Sequence, residues 1–148
     1  MGEFATIGGV NKTRLAAYAW CENADGELLA RIAPGFADTG WWTLPGGGLD
    51  FGEDPVDCVL RELREETGLE GRIDELVGIV SYVLEPSETI LGDRLHVVGM
   101  LYRVTPTAGR LRDEPDGTTD HAEWISFGRL DDLPLVDLVA WARRTVAR

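Results

Sequence analysis

The chain has 148 residues, a length that suits one domain, and its 44% hydrophobic and 27% charged residues exclude the disordered and membrane-spanning classes. Its 14 Lys and Arg against 26 Asp and Glu give a net charge of -12, which disfavours binding to a long nucleic-acid backbone but is compatible with a small phosphorylated ligand held through a metal. Two cysteines, Cys21 and Cys58, are too few for a disulfide framework, so we expect reduced thiols and a cytoplasmic location.

The N-terminal third predicts a flexible terminus followed by strands. Residues 1–12 show no clear periodicity, and the apolar run within residues 12–21 is too short for an export signal, which favours a strand there. Turn residues 23–26 join two apolar stretches, residues 15–21 and 27–33, and predict a β-hairpin. Residues 41–44 also resemble a strand. No apolar run approaches the roughly 20 residues of a transmembrane helix.

A helix is predicted from Pro55 to Thr67. Asp54 suits the N-cap, Pro55 suits the first helical position, and Gly68 is a stop signal. The preceding Pro-Gly-Gly-Gly, residues 45–48, predicts a loop because its backbone is too permissive to stay in a strand. Steps of three and four residues predict one buried stripe on the helix, made of Val56, Val59, Leu60 and Leu63.

The C-terminal half alternates strands with polar segments. Residues 73–84 and 94–104 predict two strands separated by a loop, and residues 105–120 are polar and rich in turn formers. Residues 123–127 predict a short strand. Residues 131–147 predict an amphipathic helix that closes the chain.

Three glutamates of the predicted helix, Glu62, Glu65 and Glu66, fall within roughly a third of its circumference. An ordinary solvated helix is one interpretation, because Arg61 can reach acidic residues one turn away on either side. However, anions in the last turn of a helix cost roughly 0.3 to 1 kcal/mol each, and crowded carboxylates repel by ~1 to 4 kcal/mol per pair. A divalent cation would reverse both penalties. Oxygen ligands without a Cys pair or His partner favour Mg²⁺ or Mn²⁺ over Zn²⁺.

The segment GGLDFGEDPVDCVLRELREETGL, residues 47–69, resembles the Nudix box, G-x5-E-x7-R-E-U-x-E-E-x-G-U, where U is aliphatic. The matching positions are Gly47, Glu53, Arg61, Glu62, Leu63, Glu65, Glu66, Gly68 and Leu69. The resemblance extends more loosely over residues 14–135. It implies a single domain with an α/β/α sandwich around a mixed sheet, and metal-dependent hydrolysis of a diphosphate linkage in a nucleotide-like substrate.

The resemblance also assigns roles to individual residues. Glu62, Glu65 and Glu66 match metal-binding glutamates, and the carbonyl of Gly46 matches a further ligand position. Glu53 and Arg61 match positions that orient this cluster. The general base varies across the family, and this chain offers either a box glutamate such as Glu65 or a late-loop acid. The loop candidates are Glu114, which we favour, and Asp116, Asp120 and Glu123.

Substrate identity is not encoded in the box. Arg31 and Arg94 are candidates for phosphate contacts, and either Trp41 or Trp42 for stacking on a ring, because neighbours in a strand face opposite sides. Lesser candidates are Tyr18, Phe36, Tyr82 and His96.

We expect a (deoxy)nucleoside triphosphate, nucleotide sugar or ADP-ribose as substrate, with no membrane partner, and homodimerisation stays open. The alternatives are an RNA 5′-pyrophosphohydrolase, a non-catalytic ligand-binding module, and an isomerase of allylic diphosphates, for which the chain offers no supporting catalytic cysteine.

Overall fold

The computed structural model describes residues 10–148, in which two β-sheets lie between two α-helices. The strands are β1 (Asn11–Trp20), β2 (Gly26–Ile32), β3 (Trp42–Thr43), β4 (Gly46–Gly48), β5 (Leu69–Leu84), β6 (Arg94–Gly109) and β7 (Thr119–Ser126). The α-helices are α1 (Pro55–Thr67) and α2 (Asp137–Val146), and short 3₁₀ helices occupy Pro86–Glu88 and Phe127–Asp132. No helix within residues 10–148 combines the length and apolar character needed to span a membrane.

The larger sheet is mixed and has the strand order β4-β1-β6-β5. In it β1 runs parallel to β6 and antiparallel to β4, and β5 is antiparallel to β6. The smaller sheet is antiparallel and has the order β3-β2-β7. This layered arrangement of helices and sheets confirms the predicted fold class.

Two hydrophobic clusters hold the layers together, one under each helix. The two-residue period of a strand sends Ala19 of β1 to the α1 side and Trp20 to the α2 side. Leu28 and Leu29 of β2 divide in the same way. Trp42 is buried in the α2 cluster, whereas its neighbour Trp41 is exposed. Because these strands are buried on both faces, their sequences read as apolar runs rather than as alternating patterns.

The predicted hairpin of residues 15–33 is confirmed only next to its turn. Its turn forms, with Asn23 Oδ1 accepting hydrogen bonds from the N–H groups of Asp25 and Gly26. However, only a few backbone bonds join the strands, such as Leu28 N to Cys21 O, before β1 and β2 separate into different sheets. The predicted flexible terminus of residues 1–12 lies largely outside the described residues, and its last two residues, Asn11 and Lys12, belong to β1.

The glycine run was also predicted wrongly, because Gly46–Gly48 pairs with β1 as a strand. A Cβ at Gly46 would collide with the carbonyl of Ala17, so the missing side chain lets β4 approach β1 closely.

The C-terminal helix begins at Asp137 instead of residue 131. Pro134 precedes it, and backbone bonds tie Pro134 and Val136 to Trp42, which keeps this segment extended.

The remaining predicted elements are present. Helix α1 has the predicted bounds, with Gly68 in the left-handed conformation at its C-terminal end. Strands β5 and β6 extend beyond the predicted residues, because residues 69–72 pair with residues 105–109 and draw part of the predicted turn region into the sheet. The short strand predicted near residue 123 is the C-terminal part of β7.

Candidate active site

Helix α1 positions the acidic side chains between the sheet and solvent. Val59 and Leu63 of the predicted stripe are fully buried, Leu60 is half-buried, and Val56 in the first turn is exposed. Cys58 is buried as well, and its thiol donates to the carbonyl of Gly47. The helix is therefore anchored both to the sheet and to the glycine strand β4.

Glu66 is the only glutamate of α1 that is buried, with 3% of its surface exposed. Its Oε2 accepts a hydrogen bond from the N–H of Gly46 at 2.8 Å. Burial raises the pKa of Glu66 well above its usual value, and the negative charge of Glu62 raises it further, while the Gly46 N–H opposes the rise. An isolated carboxylate at this position is costly without a cation.

Arg61 connects the other acidic residues of the box. Its Nε and Nη2 donate to the two oxygens of Glu53 at 2.8 and 2.9 Å, a bidentate pair. Its Nη1 donates to Glu62 and to Glu65, both at 3.1 Å. The hydrogen bonds from Arg61 lower the pKa of Glu53 to about 2. Arg61 and Glu53 therefore form a rigid ion pair beside two of the predicted metal ligands.

The donor set fits a hard divalent cation, although within residues 10–148 no three acidic, His or Cys side chains converge closely enough to hold a metal as they stand. The reason is visible in the contacts, since Arg61 draws Glu62 and Glu65 toward itself. Glu66 is buried and Glu62 is partly buried, and burial raises the pKa of Glu62 as well. The buried carboxylate of Glu66, whose pKa the charge of Glu62 raises further, needs a positive charge nearby, which oxygen-liganded Mg²⁺ or Mn²⁺ would supply.

Glu114 lies in the loop between β6 and β7 and faces the same cluster. Its Oε1 is buried and has no hydrogen-bond partner among the described residues. Burial raises the pKa of Glu114, and the charges of Glu62 and Glu65 raise it further. Gly117 leaves the necessary space, because a Cβ there would collide with the Glu114 carboxylate. The loop therefore brings a carboxylate back to the glutamates of α1.

The other late-loop acids have different environments. Asp120 pairs with Arg31 at 2.9 Å, and Glu123 pairs with Arg129 and with His121. The hydrogen bond from Arg129 lowers the pKa of Glu123. Asp116 is exposed and adopts a positive φ of 58°. Among these candidates, Glu114 is the one whose charge is coupled to the box glutamates.

A cleft of about 1190 Å³ opens beside Glu66 and Gly46. Tyr18, Phe36 and Tyr82, the lesser aromatic candidates, line it, but His96 does not. The predicted substrate residues Arg31, Trp41 and Arg94 are also absent from its lining. Arg31 is held by Asp120 beside the ring of Trp42, and Arg94 pairs with Glu85.

Arg14 lines the cleft, and the sequence interpretation did not include it. The sequence did contain a signal for Arg14, because side chains of a strand alternate between the two faces of the sheet. Arg14 precedes Tyr18 by four residues on β1 and therefore lies on the same face. What could not be read from the sequence is that both side chains lie over glycines of neighbouring strands.

Comparison with known proteins connects this geometry to one family. The family model described as the NUDIX domain matches residues 12–148. A MutT-like protein of Streptomyces ambofaciens is 35% identical over 102 residues, which cover 69% of this chain and 56% of that protein. An RNA pyrophosphohydrolase of Xanthomonas oryzae pv. oryzae is 32% identical over 118 residues, which cover 72% of this chain and 56% of that protein.

An ADP-ribose pyrophosphatase of Methanocaldococcus jannaschii is 32% identical over 95 residues, covering 64% of this chain and 50% of that protein. The chain thus spans a little over half the length of the first curated relatives it matches. Among solved structures, a NUDIX hydrolase from Nitrosomonas europaea aligns with a TM-score of 0.77 and 20% identity, covering 91% of this chain and 88% of that one. This last likeness supports the fold alone.

Proposed function

The chain belongs to the Nudix family, and from this premise we propose that it hydrolyses a diphosphate linkage in a nucleoside diphosphate derivative, such as a (deoxy)nucleoside triphosphate, nucleotide sugar or ADP-ribose. The observation that carries the proposal is the buried carboxylate of Glu66, which lies beside Glu62 and within the electrostatic reach of Glu114. Carboxylates gathered in this way disfavour a negatively charged substrate unless a cation stands between them.

Glu62, Glu65 and Glu66 are the side chains that would hold Mg²⁺ or Mn²⁺, together with the carbonyl of Gly46. A bound divalent cation neutralises charge on the phosphate oxygens and lowers the pKa of water. Gly46 already fixes one of these ligands, because its N–H holds Glu66 Oε2. Glu53 and Arg61 act as positioning residues, since their bidentate pair sets where Arg61 can hold Glu62 and Glu65.

Glu114 is the proposed general base. Its Oε1, which has no hydrogen-bond partner within residues 10–148, accepts a proton from the attacking water, and its raised pKa makes the carboxylate a stronger proton acceptor. The water oxygen forms a bond to phosphorus while the bond from that phosphorus to the bridging oxygen breaks. The departing phosphate takes the electron pair of that bond. If Glu114 does not fill this role, Glu62 and Glu65 of the box are the remaining candidates, and Glu65 is the more exposed of the two.

A small substrate is favoured over a polynucleotide. The cleft of about 1190 Å³ accommodates a nucleotide with a further group attached, and the net charge of -12 opposes long-range attraction of an RNA backbone. A relative named RNA pyrophosphohydrolase nevertheless makes 5′-triphosphate RNA the second candidate substrate. A purely ligand-binding role is disfavoured because ligand sensing does not require an intact set of metal-binding carboxylates.

A product-release screen tests this function. Nucleoside triphosphates, ADP-ribose, nucleotide sugars, dinucleoside polyphosphates and a 5′-triphosphate RNA oligonucleotide are each incubated with the protein and Mg²⁺ or Mn²⁺. We expect turnover of at least one small nucleotide, with Glu66→Gln as the matched inactive control. Exclusive turnover of the RNA would replace the substrate class, and no turnover of any compound by the wild-type protein would overturn the catalytic proposal.

A further inference from the structure

Next to Glu66, two side chains of β1 that line the cleft lie over glycines of the strands that flank β1. The ring of Tyr18 would collide with a Cβ at Gly46 on β4 or at Gly99 on β6, because ring atoms lie 2.7 Å from each of these Cβ positions. The guanidinium of Arg14 lies where a Cβ of Gly48 would be. Three glycines thus let Arg14 and Tyr18 lie flat on the sheet and face the same cleft as Glu66.

Within residues 10–148, Arg14 has no carboxylate ion-pair partner, although the chain is acidic. Nine of the 14 Lys and Arg side chains form ion pairs with carboxylates. Within residues 10–148, the Arg residues without such a pair are Arg14, Arg110, Arg112, Arg144 and Arg148, and of these only Arg14 and Arg144 line the cleft. Arg14 also lies near the metal cluster, since its charge opposes the burial-driven rise in the pKa of Glu62.

The hydroxyl groups of Tyr18 and Tyr82 form a pair beside Arg14. Their oxygens are 3.0 Å apart, and both residues line the cleft. A hydroxyl pair uses one of its two protons internally, so the other proton is available to a ligand acceptor. Burial raises the pKa of both tyrosines, and the charge of Arg14 opposes that rise in each of them, which places all three groups in one electrostatic neighbourhood.

We propose that Arg14 and the Tyr18–Tyr82 hydroxyl pair form a subsite that binds phosphate oxygens of the substrate on the side of the cleft next to Glu66. This subsite rests on the proposed function, because it assigns a binding place to a diphosphate-containing substrate. A guanidinium offers a planar pair of donors that matches a phosphate group, and a hydroxyl adds a donor without adding charge. A diphosphate next to Glu62 and Glu66 needs such donors, because the carboxylates repel every oxygen that the metal does not cover.

Calorimetric titration with ADP in EDTA tests this subsite without turnover. Arg14→Gln should weaken ADP binding by about tenfold or more, and Arg14→Lys should restore part of the loss, because it keeps the charge but loses the planar fork. Arg110→Gln is the matched control, since it removes an exposed charge outside the cleft that likewise has no ion-pair partner among the described residues, and it should change affinity by less than about twofold. A parallel titration with inorganic phosphate shows whether a single phosphate group suffices for binding.

Tyr82→Phe provides a second test that keeps the ring and the fold. It should weaken ADP binding by roughly threefold to tenfold, and the same variant should raise KM more than it lowers kcat for whichever substrate the screen identifies. Equal ADP affinity in the wild type and Arg14→Gln, or no ADP binding to the wild type in EDTA, would overturn the subsite. Failure of the proposed function can be distinguished from failure of the subsite. If the proposed function is wrong, the screen shows no turnover, whereas the EDTA titrations still test ADP binding at the subsite.

Discussion

Two buried glutamates, Glu66 and Glu27, occupy different regions of the molecule. Burial raises the pKa of Glu27 on β2 to about 7, with Arg143 opposing the rise and Glu22 adding to it. Both of its oxygens lack hydrogen bonds to described residues, and Arg143 Nε is 3.9 Å from Oε1. Glu66 instead accepts a backbone N–H and lies among other carboxylates.

Burial of a carboxylate therefore does not by itself identify a catalytic site. Glu27 borders a small cavity of about 260 Å³ with an arginine nearby, so protonation at neutral pH relieves its cost. Protonating Glu66 alone does not remove the repulsion among Glu62, Glu65 and Glu114, whereas a divalent cation does. The number of neighbouring carboxylates therefore separates the candidate metal site from the solitary buried acid.

Glu66→Gln should have the largest effect. We expect kcat to fall by roughly 10² to 10⁴, because the amide keeps the shape of the side chain but loses the ligand charge. Stability in metal-free buffer should change by less than about 1 kcal/mol or increase, since the substitution relieves repulsion with neighbouring carboxylates. Steady-state kinetics and denaturant unfolding measure the two effects. A variant that is unfolded at ordinary temperature would mark Glu66 as a structural residue.

Glu114→Gln should reduce kcat by roughly 10² or more while leaving metal affinity nearly unchanged. The reason is that Glu114 Oε1 has no hydrogen-bond partner among the described residues, whereas Asp120 and Glu123 are held in ion pairs. Asp116, Asp120 and Glu123, each changed to its amide, are the controls and should lose at most a few fold. A flat response across all four variants would move the base into the box, to Glu62 or Glu65.

Glu27→Gln should raise stability at pH 8 by about 1 to 2 kcal/mol and have little effect at pH 5. The folded pKa of Glu27 lies above its unfolded value near 4.5, so its favourable contribution is complete below that value. This contribution is lost as the pH rises through about 7, where the wild type must bury a charge that the amide lacks. Denaturant unfolding at both pH values checks this, with kcat within twofold of wild type. Greater stability of the wild type at pH 8 would contradict it.

Arg143→Gln should have the smallest effect, a loss of roughly 0.5 to 1 kcal/mol at pH 8 and less at pH 5. Arg143 is the cation that opposes the rise in the pKa of Glu27, but it is partly exposed and also pairs with Asp131, so solvent screens its contribution. The double variant with Glu27→Gln should show no additional pH-dependent loss. Additive losses would mean that Arg143 acts through Asp131 instead.

Local signals predicted helix α1 completely, because Asp54, Pro55 and Gly68 mark its ends without help from the rest of the chain. Strand pairing could not be predicted in the same way. The parallel partner of β1 is β6, about 80 residues away, so residues 15–33 alone could not show that β1 and β2 enter different sheets. The start of α2 likewise depends on backbone bonds from residues 134 and 136 to Trp42.

In the candidate site, too, residues that are close together in sequence could be predicted, whereas residues that depend on distant strands could not. The box motif, residues 47–69, and Gly46 just before it pointed to the acidic residues of α1 and to the glycine that contacts Glu66, because these residues lie close together in sequence. Arg14 was missed because its environment depends on β4, next to β1 in space but about 30 residues later. Arg31 and Arg94 were chosen for their charge, but tertiary partners Asp120 and Glu85 engage both of them.

A magnesium titration of the chelator-treated protein tests the central claim, that the acidic cluster of α1 works through a divalent cation. The protein is freed of metal with EDTA, dialysed, and assayed with the best substrate from the screen at increasing Mg²⁺ or Mn²⁺. We predict no turnover without metal and a saturable return of activity, with Glu66→Gln failing to recover at concentrations that saturate the wild type. Full turnover in the presence of excess chelator would contradict the claim.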